Sequence, residues 1–168
     1  MTEEVKDTKE IKNLDALINK IAFEIVNEKI LEEGQINKML GVLSNDGVYA
    51  WWVYTKKEVD WKFESNEDKF KGTKLIQLLY KLKKLNFLFK QDIINDEKIK
   101  DICSKQCDGL QNDKKRKEDV DKKRKEQNER LNEFFNSLSE YLPSLLFFRE
   151  ILEKILIYAR YHAKAMGD

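Results

Sequence analysis

Val48-Tyr49-Ala50-Trp51-Trp52-Val53-Tyr54-Thr55-Lys56-Lys57-Glu58-Val59-Asp60-Trp61-Lys62-Phe63-Glu64 is the stretch on which the fold class turns. Its first seven residues are apolar or aromatic throughout, so no polar residue reveals a period. Their type favours a strand. Residues 59–64 then alternate apolar and charged, which is a strand pattern. A short β-hairpin over 48–64, turning at Thr55–Glu58, is one reading. The other is a buried helix from Gly47 to Glu58, opened by an Asn45-Asp46 cap and closed by Lys56 and Lys57, where cations suit the helix dipole. The flanking sequence is helical, and the helix is the preferred reading.

On the N-terminal side, Ile11, Leu14, Ile18, Ile21 and Ile25 form an apolar seam, flanked by Leu17 and Ala22. This predicts a helix over Lys9–Glu33 that ends at Gly34. Only about two heptads are clean, so core packing is expected over a free coiled coil. A short helix over Gln35–Leu43 turns Ile36, Met39, Leu40 and Leu43 inward. Ser44-Asn45-Asp46-Gly47 reads as a turn or cap.

On the C-terminal side, Ser65–Gly72 reads as a polar loop. Thr73 can cap a helix with Leu75, Leu78, Leu79, Leu82 and Leu85 inward and Lys81 and Lys84 off that face. Asp92–Cys107 reads as a shorter helix burying Ile93, Ile94, Ile99, Ile102 and Cys103, broken by Asp108-Gly109. Asp113–Arg130 carries KKRKE twice, with Val120 its one apolar residue. Its Lys and Arg point in every direction with acids between them, so a solvated helix extension or mobile segment is expected, not a one-sided basic stripe. Leu131, Phe134, Phe135, Leu138, Tyr141 and Leu142 then align as one helix. Pro143 divides it from a last helix, so an antiparallel pair or a kinked rod is expected.

That last helix has the clearest period in the chain. Leu145, Phe148, Leu152, Ile155, Ala159, His162 and Met166 share one side, widened by Phe147, Ile151 and Tyr158, and Gly167 is a natural stop. Arg149, Arg160 and Lys164 fall within a sector of about 60° on the other side, with Glu153 among them.

The totals agree with a single helical domain over 1–168. The chain is 41% hydrophobic and 38% charged, with one proline and six glycines. The expected fold is all-α: a compact bundle of about five to seven helices, with 113–130 as a charged extension. The net charge of +1 lends no support to nucleic-acid binding, which must rest on local patches. The first ten residues are polar, and no run approaches the roughly 20 apolar residues a bilayer span needs. A cytoplasmic location with two reduced thiols is expected.

Motifs for chemistry are sparse. The one histidine, His162, has no Ser or Cys elbow beside it, which points to a packed or interface role over a catalytic one. Cys103 and Cys107 stand four apart, without the further ligands a zinc site needs and without CxxC spacing. No GxGxxG, P-loop or HExxH occurs. The expectation is a binding protein, not an enzyme, with no metal, cofactor or small-molecule substrate. Trp51, Trp52 and Trp61 with Tyr49 and Tyr54 are a dense aromatic group, of which most are expected to fill the core. Arg149, Arg160 and Lys164, joined by Lys56, Lys57, Lys81 and Lys84 if the helices pack side by side, are the candidate phosphate-backbone contacts. A solvated cationic edge is an equally good reading of the same residues.

Tyr158-Ala159-Arg160-Tyr161-His162-Ala163-Lys164-Ala165-Met166-Gly167-Asp168 resembles the close of the small α-helical subunit of type III CRISPR–Cas effector complexes. That subunit ends in an amphipathic helix with an aromatic-basic-Ala-Met or Tyr/His-Lys and Gly-rich tail. Val42–Val48, continuing through Ala50 to Lys56, is similar to the segment in which an Asn-Gly turn opens an apolar helix ending in Lys. The two patches cover a fifth to a quarter of the chain. The resemblance implies a non-catalytic helical bundle that stacks in several copies along a filament of backbone subunits. Its basic faces would lie near guide RNA and paired target RNA, without sequence readout. Lys56, Arg160 and Lys164 fall in the matched patches. Two other classes stay open: a winged-helix DNA-binding protein, whose recognition helix Gln35–Leu43 would carry only Lys38, and a helical adaptor or homo-oligomer with no nucleic acid.

Overall fold

The computed structural model describes residues 13–60, 66–104 and 113–167. Among them the chain is all-α, with no strand. In order come α1 (Leu14–Asn27), α2 (Glu33–Asp46), α3 (Val48–Glu58), α4 (Glu67–Lys71), α5 (Lys74–Leu82), a 3-10 helix (Lys83–Leu88), α6 (Asp96–Ser104), α7 (Asp113–Ser139) and α8 (Leu142–Met166). They form two compact units, residues 1–54 with 146–168, and residues 55–145.

In the first unit the buried side chains come from α1 (Ile18, Ile21, Ala22, Ile25), α2 (Ile36, Met39, Leu43) and α8 (Phe148, Ile151, Leu152, Ile155, Leu156, Ala159, Ala163). Ile18, Ile21 and Ile25 of the seam expected in α1 are therefore core residues, Leu14 is half-buried, and Ile11 lies outside the described residues. Its end is not where Gly34 suggested. The helix stops at Asn27, and Lys29 takes the left-handed conformation with φ 56°. The Lys29 N–H donates to the Val26 carbonyl at 3.0 Å and the Ile30 N–H to the Ile25 carbonyl at 2.9 Å. That pair of bonds is the Schellman stop, with Ile25 and Ile30 both buried beneath it. Gly34 instead lies in the first turn of α2. That helix opens two residues before the expected Gln35, because Glu32 and Gln35 form a capping box, the Glu32 N–H donating to Gln35 Oε1 at 2.9 Å.

Gly47 separates α2 from α3. At φ 93° and ψ −173° it occupies a region open almost only to glycine. Its N–H closes α2 on the Leu43 carbonyl, and its carbonyl accepts the Trp51 N–H to start α3, so this glycine opens the helix that an Asn45-Asp46 cap was expected to open. Val48–Glu58 is helical, which removes the hairpin as far as residue 58. Its second half, with Trp61 and Phe63, lies outside the described residues. A strand would have turned Trp51 and Trp52 to opposite faces. The helix sets them about 100° apart, and both are 0% exposed.

In the second unit, Ser65–Gly72 contains a helix where a loop was expected. The Asn66 carboxamide accepts the Asp68 and Lys69 N–H groups, and Phe70 is fully buried. Thr73 holds the N-cap position of α5, yet its hydroxyl donates to the Phe70 carbonyl at 2.8 Å and caps nothing in α5. Leu75, Leu78, Leu79, Leu82 and Leu85 are buried as their spacing predicts, each worth about 1.5–3 kcal/mol of apolar transfer. Ile93 and Ile94 are also buried, but before the helix. The Asn86 side chain accepts the Ile93 N–H at 2.8 Å and donates to the Ile94 carbonyl at 3.0 Å, so two non-helical residues can enter the core. Asn95 then caps α6 by accepting the Lys98 N–H, which moves the start from Asp92 to Asp96.

The run of KKRKE repeats is part of α7, whose backbone is helical from Asp113 to Ser139. Lys117, Glu118, Asp121, Lys122, Arg124 and Lys125 are exposed, and burial starts at Gln127. Leu131, Phe134, Phe135 and Leu138 are buried. Tyr141 and Leu142, expected on the same face, are 60% and 62% exposed because the helix has ended at Ser139. Pro143 sits in the first turn of α8, where its missing N–H costs nothing.

Candidate nucleic-acid interface

The seven candidate cations divide between the units. Lys56, Lys57, Lys81 and Lys84 belong to the second; Arg149, Arg160 and Lys164 belong to the first.

In the second unit, Lys56 and Lys57 are consecutive in the last turn of α3 but have different surroundings. Lys56 Nζ donates to Asn128 Oδ1 at 3.0 Å and to Asn132 Oδ1 at 2.7 Å. These asparagines are four apart, so α7 presents both carboxamides on one face. Burial pushes the Lys56 ammonium below its ordinary pKa. Lys57 is exposed. Lys81 is in the last turn of α5 and Lys84 is in the 3-10 helix, both half-buried.

In the first unit, Arg149 Nη2 donates to the Ser44 carbonyl at 2.9 Å. That oxygen is one of the last four carbonyls of α2, which have no partner within their helix, so the guanidinium caps α2 and offsets its dipole. The Arg160 guanidinium lies 5.7 Å from the centre of the Tyr161 ring, within cation–π range. Its Nε is buried without a hydrogen-bond partner among the described residues. Tyr161 and Lys164 are exposed.

The sequence alone missed the polar lattice of the second unit. Arg130 Nε pairs with Asp101 at 2.9 Å and its Nη1 with Glu133 at 3.0 Å; Lys98 pairs with Glu133 at 3.6 Å, and Gln127 donates to the Ile102 carbonyl at 2.9 Å. Together these tie α6 to α7. The legible signal was the i, i+3 and i, i+4 spacing of polar residues where the KKRKE run gives way to apolar ones. A cleft of about 320 Å3 lies in the same unit, walled by Phe89, Phe134, Leu138 and Tyr141 with Lys90 at its rim.

His162 faces Asn19, its Nε2 2.8 Å from Oδ1, and meets the Phe23 ring edge-on at 5.5 Å. Tyr80 donates to Asp96 at 2.7 Å. Burial and then that bond push the phenol above its ordinary value, and the same bond holds the Asp96 carboxyl below its own. Cys103 is buried, which pushes its thiol up; Cys107 lies outside the described residues. Among the described residues no group of three or more His, Cys, Asp or Glu could hold a metal ion, and no helix is long and apolar enough to cross a membrane. Of the aromatic group, Trp51 and Trp52 fill the interior, Tyr49 is exposed, Tyr54 is half-buried and Trp61 lies outside the described residues.

Comparison with known proteins finds no matching family model, curated protein or solved structure.

Proposed function

We propose that this chain is a non-catalytic helical subunit of an RNA-guided effector complex of the type III CRISPR kind, touching guide or target RNA through its phosphates. What carries the reading is the end of α8. Arg160, braced on the Tyr161 ring, and Lys164 lie one turn apart within the stretch that resembles the family's close. Two cations about 6 Å apart along a helix, beside an exposed aromatic ring, suit a ribose-phosphate backbone and an unstacked base. Lys57 is the further exposed contact, and Lys81 and Lys84 are half-buried ones. Lys56 and Arg149 are secondary, because each already donates to a group within the protein. The other partners are the remaining subunits of the complex, in the cytoplasm.

The test is charge reversal at Arg160→Glu and Lys164→Glu, with RNA retained by the purified complex as the readout. The expected result is an unchanged circular dichroism spectrum and melting curve with retention reduced at least tenfold. Unchanged retention removes the site. Failure of the chain to co-purify with any RNA-bearing complex removes the function.

A helical adaptor without nucleic acid is the second reading, favoured by the exposed Leu146, Phe147 and Tyr161 on α8. A winged-helix protein is disfavoured, since the segment that would start its wing is α3.

A further inference from the structure

Helix α8 buries one apolar stripe and leaves a second one outside. Phe147, Glu150, Lys154, Ile157 and Tyr161 follow one another at spacings of three, four, three and four, the repeat that keeps side chains on one seam of a helix pair. Phe147 is 38% exposed and Tyr161 61%; Leu146 at the flank is 52% exposed, and Ile157 is half-buried. The two charged members point outward as well, with 68% of the Glu150 side chain and 47% of the Lys154 side chain accessible. A stripe meant only for water has no need of apolar residues at both ends of a charged middle.

The order of the stripe is what names its occupant. Between Phe147 and Ile157 it presents the same chemistry from either end: aromatic or aliphatic outside, one charge inside, with the two charges opposite in sign. Two copies laid antiparallel about a two-fold axis level with residue 152 put Phe147 against Ile157 of the other copy and Glu150 against its Lys154. Both pairs occur twice, as an isologous contact requires. A parallel pair would instead set Glu150 against Glu150 and Lys154 against Lys154. We infer that the outer face of α8 is a self-association surface that pairs two copies of this chain antiparallel through Phe147, Glu150, Lys154 and Ile157.

Within one copy Lys154 lies 4.0 Å from Glu150 and 4.0 Å from Asp15, at the far limit of an ion pair, so its partner can be exchanged at little cost. One helix pair of about four turns buries less than the roughly 1,200 Å2 of a stable dimer, so the pairing is expected to be weak and reversible. The two-fold contact closes at two copies and adds no third. It is independent of the RNA proposal, because Arg160 and Lys164 lie to one side of the stripe, roughly a quarter turn around the helix.

Sedimentation equilibrium of the full chain across roughly 1–500 μM, at low and at moderate salt, tests this. The expected result is a reversible monomer–dimer equilibrium. Glu150→Lys or Lys154→Glu alone weakens it about tenfold, and the double exchange E150K/K154E restores it. A chain that stays monomeric across that range overturns the proposal. So does strengthening by Glu150→Gln, which is the signature of a parallel pair relieved of its Glu150–Glu150 contact, or a double exchange no better than either single one.

Discussion

Helices α3 and α8 are made of similar residues and teach opposite lessons about reading a sequence. In α3 the apolar residues are continuous, so the pattern is silent and only the neighbouring elements favour a helix. The structure sorts those residues sharply: Val48, Trp51, Trp52 and Thr55 are buried, while Tyr49 and Val53 are exposed. In α8 polar residues interrupt the apolar ones, so the buried stripe from Phe148 to Ala159 is plain in advance. The same polar residues conceal the second apolar stripe, because a wheel that shows one good face invites no search for another. Each helix also carries one cation that donates to a group inside the protein, Lys56 or Arg149, and one that is exposed, Lys57 or Lys164.

The largest effect that tests this contrast is at Trp52. Its side chain is wholly interior, so Trp52→Ala costs about 3–5 kcal/mol in urea unfolding. Tyr49→Ala, on the exposed side of the same helix, stays within about 0.5 kcal/mol. Similar losses at both positions would mean that α3 does not sort its aromatics as described.

The next effect compares two glycines with equal room. Apart from the adjoining residues and the local helix backbone, no atom lies within 4 Å of a methyl group placed on Gly47 or on Gly34. Gly47→Ala nonetheless costs about 1–3 kcal/mol, because the backbone there is open to little but glycine. Gly34→Ala, inside the first turn of α2, gains about 0.4–1 kcal/mol. Thermal melts of the two variants should move in opposite directions; a shared direction contradicts the junction between α2 and α3.

The smallest stability difference separates adjacent lysines. Lys56→Ala strands two carboxamide oxygens and costs about 1–2 kcal/mol. Lys57→Ala stays within about 0.5 kcal/mol. Equal costs would erase the distinction between structural and outward-facing cations.

Much of the fold was legible because it rests on period. The seam of α1, the leucines of α5 and the buried stripe of α8 follow from 3.6 residues per turn. What escaped was set by single residues, through backbone bonds at Lys29 and through side chains bonding to backbone at Asn66, Asn86 and Asn95. Lys29 stops α1 without a glycine, Asn66 turns a polar loop into α4, and Asn86 and Asn95 move the start of α6. No periodicity encodes such bonds. The same limit applies to the candidate interface. Spacing placed Arg149, Arg160 and Lys164 on one edge, but only coordinates show that Arg149 holds the end of α2. The partners of Lys56, Asn128 and Asn132, lie more than seventy residues away in sequence, beyond the reach of a local pattern.

The central claim is that Arg160 and Lys164 meet RNA phosphates while Arg149 holds the protein together. Its most direct measurement is the salt dependence of association with single-stranded RNA. Each phosphate contact on a single strand contributes about 0.7 to the slope of log K against log salt. Arg160→Ala with Lys164→Ala should lower that slope by about 1.4, and Arg149→Ala should leave it unchanged while lowering stability by about 0.5–1 kcal/mol. An unchanged slope in the double variant, or an equal fall on loss of Arg149, would contradict the account.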